Sequence, residues 1–325
     1  MAKPVVLVTR KLPDEIEARL ASLFDARLNT ADDPWFRDGA EIARRATEAG
    51  AAGVLCAAGD PINPTTIAAL PDSVKIVTTF SVGTDHIALD ACKARGIAVT
   101  HTPEVLSFAT AETAFTLMLM AARRAGEGER MVRAGKWEGW APTQLMGVTL
   151  QGKTLGVLGF GRIGRELADM ARGMQMTIHY HDVQRAAPEL EKGATFHASE
   201  DSFLPAIDVI SMHVPGGEAT RKWLNAARIA KMKKGAIVIN TGRGPSVDDE
   251  ALVAALTSGH IRAAGLDVYT AEPKVDPGYF ALENVALLPH LGSATIETRA
   301  AMGERCIVNL DALLNKGTNP PHRAA

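Results

Sequence analysis

Cysteine is scarce: three in 325 residues, Cys56, Cys92 and Cys306, with no CxxC spacing. A disulfide framework is not expected, nor is a zinc site or any other metal. The thiols read as small buried hydrophobes in a reducing cytoplasm. Neither sign of charge is in excess, since 35 Lys and Arg against 37 Asp and Glu leave a net charge of −2. Nothing here draws the chain to nucleic acid or to an anionic membrane. No apolar run approaches the roughly 20 residues that a membrane-spanning helix needs. The longest with helical character, residues 113–122, lies between Glu112 and Arg123 and reads as a buried core helix. The opening MAKPVVLVTR enters a strand-like run almost at once, so no secretory leader is expected. There is no fixed-period repeat and no low-complexity tract.

What remains is an ordinary globular composition, 46% hydrophobic and 22% charged. At about 150 residues per domain the length suggests two domains, each large enough to bury its own core. The first hundred residues alternate. Strand-like runs at 5–8 (VVLV), 53–57 (GVLCA), 75–80 (KIVTTF) and 97–102 (IAVTHT) are separated by helical segments such as 13–23 and 87–95. Continuous apolar strands in βα alternation predict a parallel sheet covered on both faces. Residues 109–124 then form one long apolar helix, and a stretch rich in Gly, Arg and Trp follows at 126–140. The alternation restarts at 154–160 and continues through 176–182, 208–214, 236–241, 263–269 and 284–290. A terminal helix spans about 295–314. Two βα domains with a helical insert between them is the reading from pattern alone.

Gly159-Phe160-Gly161-Arg162-Ile163-Gly164 is a GxGxxG run that follows a strand and opens a helix. The next strand ends at Asp182, 182 − 164 = 18 residues past the last glycine. This is the dinucleotide fingerprint in its proper setting. Gly159 permits the turn, Gly161 lets the backbone approach a pyrophosphate, and Gly164 lets helix and strand pack closely. The helix N-terminus offers free N–H groups to the phosphates. Asp182 would accept the ribose hydroxyls and repel a 2′-phosphate, favouring NAD and making NADP the less favoured cofactor. His181 and Arg185 stand beside it and could soften that repulsion. Asp182 also has the plainer reading of a strand-end residue.

Three further signals stand at the carboxyl ends of later strands: Arg243 in NTGRG, Glu272 in LDVYTAEP and His290 in LLPHLGSAT. Reduction of a 2-keto acid needs these types together. A protonated imidazole, His290, donates to the carbonyl oxygen and acts as base in the reverse direction. A carboxylate, Glu272, fixes its tautomer and raises its pKa. A guanidinium, Arg243, grips the substrate carboxylate and polarises the neighbouring carbonyl. Taken singly, each has an ordinary structural reading, and His101, His179, His197 and His213 are read that way. Their joint occurrence after the fingerprint points to catalysis.

With these motifs in order, the chain resembles the D-isomer-specific 2-hydroxyacid dehydrogenases over nearly its whole length. The resemblance rests on TTFSVGTDHIALDACKARGIAV, GFGRIG, NTGRG, LDVYTAEP and PHLGSAT. TDHIALDACKARGI and AARRAGEGERM look like the glycerate dehydrogenase and hydroxypyruvate or glyoxylate reductase branch. The resemblance implies two doubly wound parallel-sheet α/β domains. A Rossmann cofactor domain, 103–291, would be inserted into a flavodoxin-like substrate domain made of 1–102 and 292–325. It implies backbone N–H groups of Val82 and Gly83 that join Arg243 in holding the substrate carboxylate. It places Thr110, Val214, Pro215, Thr241 and Asp267 around the nicotinamide and its ribose, with His290 and Gly292 beside them. It further implies a cytoplasmic homodimer built on helix 109–124 and the Trp-bearing stretch, with Trp137 or Trp140 reaching the neighbouring site or only packing at the interface. The expected reaction is NADH-dependent reduction of hydroxypyruvate or glyoxylate to D-glycerate or glycolate. Two alternatives stand beside it. One is a dehydrogenase for pyruvate or a bulkier keto acid, and the other is an NAD-responsive binding scaffold.

Overall fold

The computed structural model describes residues 2–324, which divide into two compact units. One runs to Leu106 and resumes at Ala294; the other is Ser107–Ser293. The sequence reading put the junctions at 102/103 and 291/292. Those bounds came from the family resemblance; in the structure the chain runs irregularly past Pro103 until the helix Ser107–Arg123 begins.

The first unit carries strands β1 (Val5–Val8), β2 (Asp25–Arg27), β3 (Gly53–Ala57), β4 (Ile76–Phe80) and β5 (Ala98–Thr100). They pair in parallel in the order β2-β1-β3-β4-β5, a flavodoxin-like order. Every residue of β4 is buried, as a strand covered on both faces requires. The helix Ile296–Leu314 belongs to this unit and packs on β4, and the Cys306 Sγ lies 3.7 Å from the Thr79 carbonyl. All three cysteines are free and buried.

The second unit carries β6 (Thr154–Leu158), β7 (Thr177–His181), β8 (Thr195–His197), β9 (Val209–Met212), β10 (Ala236–Asn240), β11 (Ile261–Leu266) and β12 (Val285–Leu287). Its parallel order, β12-β11-β10-β9-β6-β7-β8, reverses at β6, where open α/β sheets bind their ligands. Side-chain alternation builds two cores on one sheet. Ile237 and Ile239 of β10 pack with Ala114, Leu117 and Met118 of the helix Ser107–Arg123. Ala236 and Val238 pack on the other face with Phe203 and Leu252. Each fully buried aliphatic side chain here contributes about 1.5–3 kcal/mol.

That packing fixes one face of the long helix, while Phe108 near its start is exposed. The helix Ala125–Arg133 buries none of its residues, and Trp137 and Trp140 beyond it are exposed. Among the described residues no helix is long and apolar enough to cross a membrane.

Candidate active site

The chain leaves β6 at Leu158 and turns through Gly159, whose φ of +88° is left-handed backbone that suits glycine. A Cβ there would also strike the His213 carbonyl carbon at 2.9 Å. The helix Arg162–Gly173 follows, with Gly161 at its N-cap and no side chain capping it. A helix start with no capping side chain is the kind that takes an anion. Gly164 lies so close to Gly159 that a Cβ would sit 2.4 Å from the Gly159 carbonyl oxygen. Apart from its two chain neighbours, no atom of the described residues lies within 4 Å of where a Cβ at Gly161 would stand, so that face of the loop is open. Phe160 is buried and stacks on Tyr180 at 4.1 Å, while Arg162 and Ile163 open the helix.

Asp182 stands beside this loop. The Phe160 N–H donates to its Oδ2 at 2.7 Å, and the Val183 N–H donates to its Oδ1 at 2.7 Å. Two backbone donors thus aim the carboxylate and leave it lone pairs for hydroxyl donors. Open glycine backbone, an uncapped helix start and an oriented acid together fit a dinucleotide.

Arg243 follows β10. Its carbonyl accepts from Asn240 Nδ2 at 3.0 Å and from Ser246 Oγ at 2.6 Å, while Asn240 Oδ1 takes the Gly242 N–H. Asn240 and Ser246 did not emerge from the sequence reading, although an Asn two residues before a loop glycine is a recognisable Asx-turn signal.

Glu272 lies in the loop after β11 and His290 after β12. Glu272 Oε1 accepts the Tyr269 N–H at 3.0 Å, and Glu272 Oε2 lies 2.7 Å from His290 Nδ1. Burial alone would push the Glu272 carboxyl up. The His290 bond and charge, the Tyr269 N–H and the Arg243 charge outweigh it and hold that carboxyl below the usual range. The bond to Glu272 in turn raises His290 above the ordinary imidazole value, against the effect of burial. The Arg243 charge acts the other way on His290, so the three side chains feel one another. A recess of about 320 Å³ adjoins the carboxylate–imidazole pair, walled by Pro273, Val275, Phe280 and Leu288.

Asp267 acts on the same turn. It is 1% exposed, and its oxygens accept the N–H groups of Leu291 at 2.6 Å and Gly292 at 2.8 Å. Its carbonyl accepts the His290 N–H, and burial pushes its carboxyl up. These bonds over-determine a turn in which His290 has φ +56°, backbone that a non-glycine residue adopts only when its surroundings impose it.

Thr110 and Asp267 both lie against Gly292. The Val214 backbone runs past Gly159 and Gly242, and the Pro215 carbonyl accepts from Thr220. Thr241 Oγ1 lies 3.5 Å from His213 Nδ1. Burial holds His213 down to about 4, so it is a neutral packing residue at pH 7. His179 and His197 bond each other at 3.0 Å.

In the other unit, Val82 and Gly83 follow β4. Their carbonyls are engaged by His101 Nδ1 at 2.9 Å and Ser81 Oγ at 2.7 Å. The chain offers their N–H groups no acceptor among the described residues.

A sequence model described as "D-isomer specific 2-hydroxyacid dehydrogenase, NAD binding domain" matches residues 115–292. The chain is 42% identical over 315 residues to a glycerate dehydrogenase of Hyphomicrobium methylovorum, covering 96% of this chain and 97% of that one. It is 39% identical to a glyoxylate reductase of Thermofilum pendens, covering 99% and 94%. Among solved structures it is similar to an NADPH-dependent glyoxylate/hydroxypyruvate reductase of Sinorhizobium meliloti in complex with NADP and malonate. That likeness has a TM-score of 0.87, 34% identity, and 100% and 97% coverage.

Proposed function

Because the chain belongs to the D-isomer specific 2-hydroxyacid dehydrogenase family, we propose that it reduces hydroxypyruvate or glyoxylate with NADH. The reverse reaction is oxidation of D-glycerate or glycolate. The observation that carries this reading is the 2.7 Å Glu272–His290 bond. It lies at the carboxyl ends of the sheet that bears Arg243 and the Gly159–Gly164 loop. The names of the relatives, a glycerate dehydrogenase and a glyoxylate reductase, support the substrate class.

A bound dinucleotide supplies a hydride to the carbonyl carbon of the keto acid. Its phosphates would lie on the N–H groups of the loop, and Asp182 would accept its adenosine ribose hydroxyls. Thr110, Val214, Pro215, Thr241, Asp267 and Gly292 would border the nicotinamide end. Arg243 grips the substrate carboxylate and draws electron density from the adjacent carbonyl. Val82 and Gly83 are proposed as further N–H donors to that carboxylate. Nδ1 of His290 is committed to Glu272, so Nε2 delivers the proton to the carbonyl oxygen as negative charge develops there. Glu272 stays ionised and stabilises the imidazolium. Oxidation runs the same groups backwards, with neutral His290 accepting the hydroxyl proton.

A panel of hydroxypyruvate, glyoxylate, pyruvate and phenylpyruvate, each with NADH and NADPH, tests the assignment. The highest kcat/KM is expected for hydroxypyruvate or glyoxylate with NADH. A preference for phenylpyruvate, or no NADH consumption at all, would reject it. In the same panel, Asp182→Ala is expected to raise NADPH use relative to NADH by about tenfold, since it removes the charge opposed to a 2′-phosphate. An unchanged cofactor ratio would remove Asp182 from that role.

The raised pKa of His290 sets a pH dependence. Reduction needs the protonated ring, so its kcat/KM is level below that pKa and falls as pH rises through it. Glu272→Gln removes the group that raises the pKa, so the fall should begin at lower pH, with a loss of about tenfold or more at pH 7.5. A profile of kcat/KM against pH that does not move would separate Glu272 from His290.

A homodimer is proposed as well, because Phe108, Val132, Trp137, Trp140 and Met146 leave an apolar surface exposed. Sedimentation showing single chains at micromolar concentration would refute it. A reducing cytoplasmic setting fits the three free, buried cysteines, and cell fractionation tests it.

A further inference from the structure

Arg185 lies three residues past Asp182, in an exposed turn whose Val183 is 97% exposed. An arginine so placed could be expected to meet a 2′-phosphate and cancel the effect of Asp182. The structure commits it elsewhere. Its Nε and Nη2 donate to Glu191 Oε1 at 2.8 Å and Oε2 at 3.0 Å, a two-pronged pairing. Glu191 is 6% exposed and cannot follow the guanidinium outward. Tyr180 Oη donates to Glu191 Oε1 at 2.6 Å, the Ala186 N–H donates to Tyr180 Oη at 3.0 Å, and Arg172 bonds the Glu191 carbonyl at 2.8 Å. Tyr180 in turn stacks on Phe160 of the glycine loop. The anchor is therefore built into the fold, whereas most of the Arg185 side chain stands in solvent.

We propose that Glu191 is a positioning residue for cofactor choice: it holds the Arg185 guanidinium away from Asp182, leaving that carboxylate unneutralised against a 2′-phosphate. The proposal rests on the dinucleotide reading of the Gly159–Gly164 loop and Asp182. Cofactor preference is then set by two acids. Asp182 acts directly, and Glu191 withholds the nearby cation that would offset it. The ionised state of Glu191 suits this role, since the Arg185 and Tyr180 bonds lower its carboxyl to about 2.

The test measures NADH and NADPH dissociation constants by nucleotide fluorescence, without keto acid, for the full chain. Glu191→Gln keeps the shape and an acceptor for Tyr180 but loses the charge that retains Arg185. It should tighten NADPH binding about fivefold and leave NADH within about twofold. Adding Arg185→Met to that variant should abolish the gain, and Arg185→Met alone should leave the NADPH/NADH ratio of the parent protein unchanged. A ratio unmoved in folded Glu191→Gln, or a gain that survives Arg185→Met, overturns the proposal. If Glu191→Gln does not fold, Arg185→Met alone decides. Weaker NADPH binding in it would mean that the guanidinium already serves the nucleotide, which overturns the proposal; an unchanged ratio supports it. A parent protein that binds neither dinucleotide refutes the cofactor reading itself, an outcome distinct from failure of the tether.

Discussion

His290→Ala is expected to lower kcat for keto-acid reduction by about 10²–10⁴-fold, the range for a lost general acid. The NADH dissociation constant should stay within about twofold, because the ring's proton is needed only as charge develops on the carbonyl oxygen. Asp267 holds the N–H groups of Leu291 and Gly292, so truncating the ring leaves the turn fastened. Alanine also relieves no strain, since φ at 290 is positive and alanine tolerates that region no better than histidine. The remaining activity should lose the alkaline fall that the imidazole imposes. Stopped-flow turnover with saturating NADH, alongside nucleotide titration, checks both parts. Near-normal turnover would take His290 out of the mechanism.

Arg243→Ala should act on binding and on chemistry together. The guanidinium grips the substrate carboxylate in the ground state and polarises the carbonyl in the transition state. KM should therefore rise while kcat falls, with kcat/KM down about 10³-fold. The backbone at 243 is retained by Asn240 and Ser246, so the loss is of the side chain and not of the loop. Arg243→Lys should recover only part of the activity, since an ammonium cannot match the two-pronged geometry. A second readout runs opposite to Glu272→Gln. The Arg243 charge lowers the His290 pKa, so its removal favours the protonated ring and moves the alkaline fall of reduction to higher pH. Keto-acid KM unchanged in Arg243→Ala would contradict the carboxylate role.

The strands that bear the site were legible because each is a continuous apolar run. Residues 154–160, 236–241 and 284–290 mark β6, β10 and β12 to within a few residues. Two strands were not legible. β2, DAR, and β8, TFH, lie at sheet edges, where one side is unpaired and a short polar sequence suffices. Glu272 and His290 were legible as types after strands and, from the chemistry a keto-acid reduction needs, as partners; the geometry that joins them was not. They are 18 residues apart in sequence, and only the parallel pairing of β11 with β12 brings their loops side by side. Asn240, Ser246 and Tyr269 were missed because their work is in local backbone bonds that span two or three residues and carry no chemical signature of the reaction.

By itself the sequence determined the class: apolar βα alternation, a glycine loop opening a helix, an acid after the next strand, and three chemical types after later strands. These are local or periodic signals, set by backbone conformation and by which faces of an element are covered. The tertiary structure decided the commitments of the charged groups. It gave Asp267 to the turn that carries His290, and Arg185 to Glu191. Hydrogen bonds and close ion pairs form only between groups that meet in space, whatever their separation in sequence. Three cysteines and a net charge of −2 excluded much, yet they left open which partner each charge would take.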